Sequence, residues 1–154
     1  MAGFTNRGLY LMLGWVFRGD TIPTNFYVGL VTSATAPGDD INTFSELTEI
    51  AAGNGYTTGG YQLTPGATDF DVHSEDDTSN YAYVQIKDVV WTASGGSIPG
   101  SGNGARYAVL LDDNGTVANR QVIAWWDLTS DRTVSVGQAL TLEDLESQLR
   151  QAAP

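Results

Sequence analysis

His73 is the only histidine in 154 residues, and the chain has no cysteine. Asp71, Glu75, Asp76 and Asp77 surround it in sequence. An imidazole among carboxylates is a donor set for a metal ion or for acid–base catalysis. A zinc centre here would have to draw its remaining ligands from carboxylates. A serine hydrolase would need its nucleophile on a tight G-x-S-x-G turn, and that motif does not occur. The default reading of this stretch is a solvated acidic loop, with a weak metal site as the alternative.

Three other stretches invite chemistry. Gly100-Ser101-Gly102-Asn103-Gly104 has the composition of a phosphate cradle. Such glycines must follow a strand and open a helix, so that helix N–H groups face the phosphate. Here they precede ARYAVLL, a strand-like run, and no Gly-Lys-Ser or Gly-Lys-Thr follows. A flexible crossover, or a loop that reaches a neighbour, fits better. Asp112-Asp113-Asn114-Gly115 lacks the alternating ligands and final Glu of a calcium loop and reads as a turn. Glu46, Glu49 and Asp127 lie near aromatics and are candidates for glycoside hydrolysis, which needs two carboxyl groups about 5–9.5 Å apart. Residue order does not bring them together. The expectation is a protein that is not an enzyme, with no catalytic residues, no cofactor and no metal.

Composition narrows the partners. The formal net charge is −11, and Lys87 is the only lysine. Nucleic-acid binding rests on Lys and Arg displacing counterions, so it is not expected, nor is an anionic membrane surface. A positively charged protein surface or a divalent cation remains open. No apolar run approaches the roughly 20 residues of a membrane span, and Leu9 to Phe17 lacks the flanks of a signal peptide.

The elements that would position these residues are short. Thr5 to Arg18 has helical spacing, with Leu9, Met12, Leu13, Val16 and Phe17 on one face. Thr5 or Asn6 caps it and Gly19 ends it, while Gly8 and Gly14 weaken it. That face docks either on its own core or on a partner subunit. Asn25 to Ser33, Tyr56 to Leu63, Ala67 to His73, Tyr81 to Thr92, Ala105 to Leu111 and Asn119 to Leu128 read as strands. The last two flank Asp113-Asn114-Gly115 as a hairpin. Phe44 to Ala52 reads as one or two helical turns. Arg132 to Val136 and Ala139 to Leu142 form a final pair around Gly137-Gln138. Seven to nine short strands in one domain, residues 1–154, predict an all-β fold. It is an antiparallel β-sandwich or jelly roll with a short N-terminal helical segment (1–20) and a fraying tail (143–154).

Within such strands the aromatics alternate faces. Trp125 and Trp126 are adjacent, so one is core and the other outside. Tyr81 and Tyr83 oppose Ala82 and Val84 in the same way. An apolar outer face marks a partner, unless the N-terminal helix or a loop covers it. Trp15, Phe17, Tyr81, Tyr83 and Trp125 are the candidate interface residues.

The order of these features resembles small virion proteins of tailed bacteriophages. The shared pattern is a short helix and F-Y-V-x-L (Phe26 to Leu30), then E-I-x-x-G-x-G-Y (Glu49 to Tyr56). G-A-R-Y-A-V-L-x-D-D (Gly104 to Asp113) and V-x-V-G-Q (Val134 to Gln138) follow. The resemblance spans most of the chain. It implies a virion protein assembled in the host cytoplasm, either a capsid decoration (cement) protein or a tail-fibre or minor tail protein. The implied partners are the major capsid protein and further copies of itself. The Gly-rich loop 93–104 and the terminal segments are then candidate reaching arms. A polysaccharide hydrolase is the third reading.

Overall fold

Aromatic and β-branched residues fill Phe26–Val31, and in a computed structural model that describes residues 2–150 they form a central strand. The chain runs β1 (Ala2–Phe4), α1 (Asn6–Leu13), a π turn (Gly14–Arg18), β2 (Phe26–Val31) and a 3-10 turn (Phe44–Glu46). It continues through β3 (Tyr61–Leu63), β4 (Val72–Asp76), β5 (Tyr81–Ile86), β6 (Val89–Thr92) and β7 (Ala105–Leu111). A 3-10 turn (Val117–Asn119), β8 (Val122–Arg132), β9 (Ala139–Leu142) and β10 (Leu145–Arg150) complete it. All strand pairs are antiparallel. One sheet has the order β1-β8-β7-β2-β3, a second β10-β5-β4, and a third pairs β6 with β9. The protein is therefore all-β with one short helix. No helix among the described residues is long and apolar enough to cross a membrane.

The five-stranded sheet is apolar on both faces, because its strands carry apolar residues at nearly every position. Val28, Leu30, Ala108, Leu110, Ala124 and Trp126 turn to the main core. There they join Ile86, Val89, Trp91, Leu140, Leu142 and Leu145 from the two smaller sheets. Each fully buried aliphatic side chain contributes roughly 1.5–3 kcal/mol. Val31, Val109, Leu111, Val122 and Trp125 turn the other way and are roofed by Phe44 and Leu47. The roof is held by a capping box, in which Thr43 and Glu46 satisfy each other's backbone N–H groups.

Several sequence expectations are corrected. Tyr81 to Thr92 is not one strand. The chain turns at Lys87 and Asp88, where the Lys87 N–H donates to the Asp69 carbonyl and its ammonium pairs with the Asp69 carboxylate at 2.6 Å. β5 and β6 thus enter different sheets. β7 and β8 pair as expected, but ten residues join them. The Asp112 carboxylate gathers that loop by accepting from the Asn114 and Gln121 N–H groups. Of Tyr56 to Leu63 only Tyr61–Leu63 is strand, and β4 starts at Val72. Ala139–Leu142 pairs with β6, and Val134 bridges to Ile98, so the expected final pair does not form. The described part of the tail is a strand, β10, bonded along its length to β5.

The Gly-rich loop 93–104 is not a free arm either. Ile98 is fully buried and exchanges two backbone hydrogen bonds with Val134, at 3.0 and 2.9 Å. The Asn54 amide donates to the Ser97 carbonyl, and the Ser94 N–H to that of Asn54. The loop is packed because it carries one large aliphatic anchor among its small residues.

Candidate association surface

Thr5 sets the pose of α1. Its buried hydroxyl accepts the Gly8 N–H at 2.8 Å, as an N-cap does, and donates to the Val122 carbonyl of β8 at 2.6 Å. Gly8 then rests on the β8 backbone, where a Cβ would collide with the Ile123 carbonyl. Leu11 and Trp15 continue this face into the core, and Trp15 meets Phe26 edge-on at 6.0 Å. Gly19, at φ +74°, ends the π turn.

This pose does not form the first of the two expected dockings, that of the apolar face on its own core. The helix presents its glycine side to the sheet, so Tyr10, Leu13, Val16 and Phe17 point outward, 61, 58, 71 and 77 % exposed. Ile22, just beyond, is 57 % exposed. Small residues allow close backbone approach, and here closeness decided which face docked. Gly8, read in the sequence as a weakness of the helix, was the signal for this arrangement. Arg7 donates to the Gln121 side chain at 2.6 Å, and its guanidinium lies over the Tyr10 ring. Arg18 is exposed at the far end.

The candidate residues therefore have different fates. Phe17 is exposed, while Trp15 is half-buried in its own core. Tyr81 and Tyr83 stand half-exposed on β5, with ring centroids 5.8 Å apart and the Arg150 guanidinium over Tyr81. Along the neighbouring β10, Arg150 donates to the Gln148 side chain and Gln148 to Glu146. Trp125 is corrected: it is buried against Tyr107, beneath the Phe44 and Leu47 roof. Its indole N–H has no acceptor among the described residues.

The three carboxylates read for glycoside hydrolysis are occupied with structure. Glu46 closes the capping box, and Asp127 forms a 2.9 Å ion pair with Arg106. Glu49 accepts from the Tyr56 hydroxyl at 2.8 Å and the Gly59 N–H at 2.6 Å. Burial pushes the Glu49 carboxyl above the ordinary range, against those hydrogen bonds and nearby Arg120. Tyr56 is buried and its hydroxyl also accepts the Leu30 N–H, so this cluster ties segment 49–60 to β2. His73 is exposed on β4. Among the described residues no group of three or more His, Asp or Glu is placed to hold a metal ion.

What the arrangement offers is contact: an apolar helix face on one side and a tyrosine-bearing sheet face on another. No family model, curated protein or solved structure matches the chain.

Proposed function

We propose that this chain is a structural protein of a tailed-bacteriophage virion, a capsid decoration protein that binds the outside of the shell and stabilises it. One observation carries the reading. Five of the eight large apolar side chains exposed among the described residues lie on and just after the N-terminal helix, in a protein whose candidate hydrolase carboxylates Glu46, Glu49 and Asp127 are engaged in structural bonds. A persistent apolar patch on a folded surface marks association. The order of sequence motifs supports the virion as its setting. Its partners are the major capsid protein and further copies of itself, and repeated copies on a shell multiply weak contacts by avidity. In this reading the five-stranded sheet forms one layer and the smaller sheets the other, a jelly-roll-like sandwich. Core residues drawn from both sides, such as Val28 and Ile86, support it.

Quantitative mass spectrometry of purified particles tests the proposal. A decoration protein is expected at an abundance comparable with the shell subunit, and particles lacking it should lose genome at lower temperature. Scarcity on the particle would instead favour a tail-fibre receptor-binding module. That second reading draws on Tyr81 and Tyr83 beside the Gln85 and Gln148 amides, a surface suited to stacking on sugar rings and bonding their hydroxyls.

A further inference from the structure

We infer that the outward face of α1 is a two-fold interface with a second copy of this chain. The inference rests on the association reading and assigns this face to self-contact.

Three observations point to a self-complementary contact. The first is a knob and a hole carried by one short helix. Phe17 is the most exposed of the large apolar residues, at 77 %. Five residues earlier, Met12 helps to line a mostly apolar groove of about 140 Å³ with Phe4, Ala82, Tyr83, Val84 and Leu149, and with His73 and Ser147 among its walls. An apolar cavity of roughly 150 Å³ accepts a benzene ring, so the groove has room for one phenyl side chain.

The second is the order of these features along the helix. The helix and its π turn run from Asn6 to Arg18, with Met12 carrying the groove at mid-length, Phe4 extending it before the helix start, and Phe17 near the far end. When two such helices lie antiparallel about a two-fold axis, each Phe17 comes over the partner's groove. Leu13 then lies near the axis, facing Leu13 of the partner subunit. In an isologous contact, what residue i does to j, j does to i, so one knob and one hole per copy suffice.

The third is charge. A chain of net charge −11 repels its own copies, so a self-contact must avoid opposed carboxylates. The first 19 residues hold two of the seven basic residues and none of the 18 acidic ones. Asp39 and Asp40 lie beside the start of α1, where the Asn6 N–H donates to the Asp39 carbonyl. The antiparallel pairing moves Arg18 toward Asp39 and Asp40 of the partner subunit, twice over. Asp20 does not compete for Arg18, because its carboxylate is turned back onto Gly14. The exposed apolar side chains supply a few hundred Å² per copy, and the groove adds to it, toward the roughly 800 Å² per partner of a stable interface.

Sedimentation velocity of the purified full chain, from about 1 to 100 μM, tests this. A dimer is expected in that range. Phe17→Asp should sediment as a monomer with an unchanged near-ultraviolet CD spectrum. Should Phe17→Asp misfold, Ala82→Trp, which fills the groove from an exposed position, should dissociate the dimer instead. Arg18→Asp should weaken the dimer by about tenfold, and adding Asp39→Arg and Asp40→Arg to that chain should restore it. A wild-type monomer throughout, a dimer that survives both Phe17→Asp and Ala82→Trp, or open-ended assembly would each overturn the inference. A monomer found at high abundance on particles would leave the decoration reading standing. A dimer absent from particles would do the reverse.

Discussion

Glu49 shows how a residue that reads as chemistry becomes a strut. It is held by the Tyr56 hydroxyl and the Gly59 N–H, and burial keeps its pKa above the ordinary range. A carboxyl that prefers its proton when folded supports the fold fully at low pH. That support is lost as pH rises through the raised value. Glu49→Gln keeps an acceptor for both donors and removes the charge. The variant should match wild type at low pH and be the more stable of the two at pH 7 in urea titrations. A difference that does not change with pH would mean the carboxylate is freely solvated. Asp69, hydrogen-bonded to Lys87, and Asp127, hydrogen-bonded to Arg106, are lowered instead. Their support is complete above the unfolded carboxylate range and lost as pH falls through their folded values. None of these roles was legible in the sequence, since each depends on a partner brought from elsewhere in the chain. Trp125 makes the same point. Alternation correctly put Trp125 and Trp126 on opposite faces, but only the placement of Phe44 and Leu47 decided that both would be covered.

Elements fared better where local signals agree. Thr5 starts the helix and Gly19 stops it, and β7 spans the run ARYAVLL. Of the two dockings expected for the apolar face of α1, the one on its own core does not form, because apolar periodicity ranks faces by greasiness and not by how closely a backbone can approach. Gly8→Val tests that point. Its side chain must displace the β8 backbone at Ile123, so a loss of about 2–4 kcal/mol is expected, whereas Leu13→Ala in the monomeric Phe17→Asp background should stay within ~0.5 kcal/mol. For a chain of this size, thermal melts should show the first as a fall of several degrees, at roughly 2–4 °C per kcal/mol. Equal effects at the two positions would contradict the docking. β10 was missed for a different reason. Leu142, Leu145 and Leu149 suit a helical repeat, while Leu145, Ser147 and Leu149 suit a strand, and only pairing with β5 selects the second. The break between β5 and β6 was hidden because Asp69, which turns the chain there, lies far back in the sequence.

At the scale of the molecule, the sheets are closed by segments from the two ends of the described chain. β1 lies at the edge of the five-stranded sheet, and β10 places Leu145 in the main core. The Glu146 carbonyl accepts the Trp126 indole N–H at 2.7 Å. Removing residues 145–150 uncovers Ile86 and strips Trp126 of its acceptor. Such a chain should lose its near-ultraviolet CD signal and cooperative melting, and one that keeps both would show β10 to be an appendage. The all-β class was legible from strand count and turn spacing, but the pairing order was not, since it joins residues far apart. That distance shapes how the molecule is made. Phe4 sits opposite Ala124 in the register of β1 and β8. On a ribosome, β1 has nothing to pair with until β8 has emerged, and the greasy helix that follows it must wait unsheltered. Such nesting makes folding a slow, late, concerted event, and it makes the newborn chain most prone to stick to its siblings just before completion.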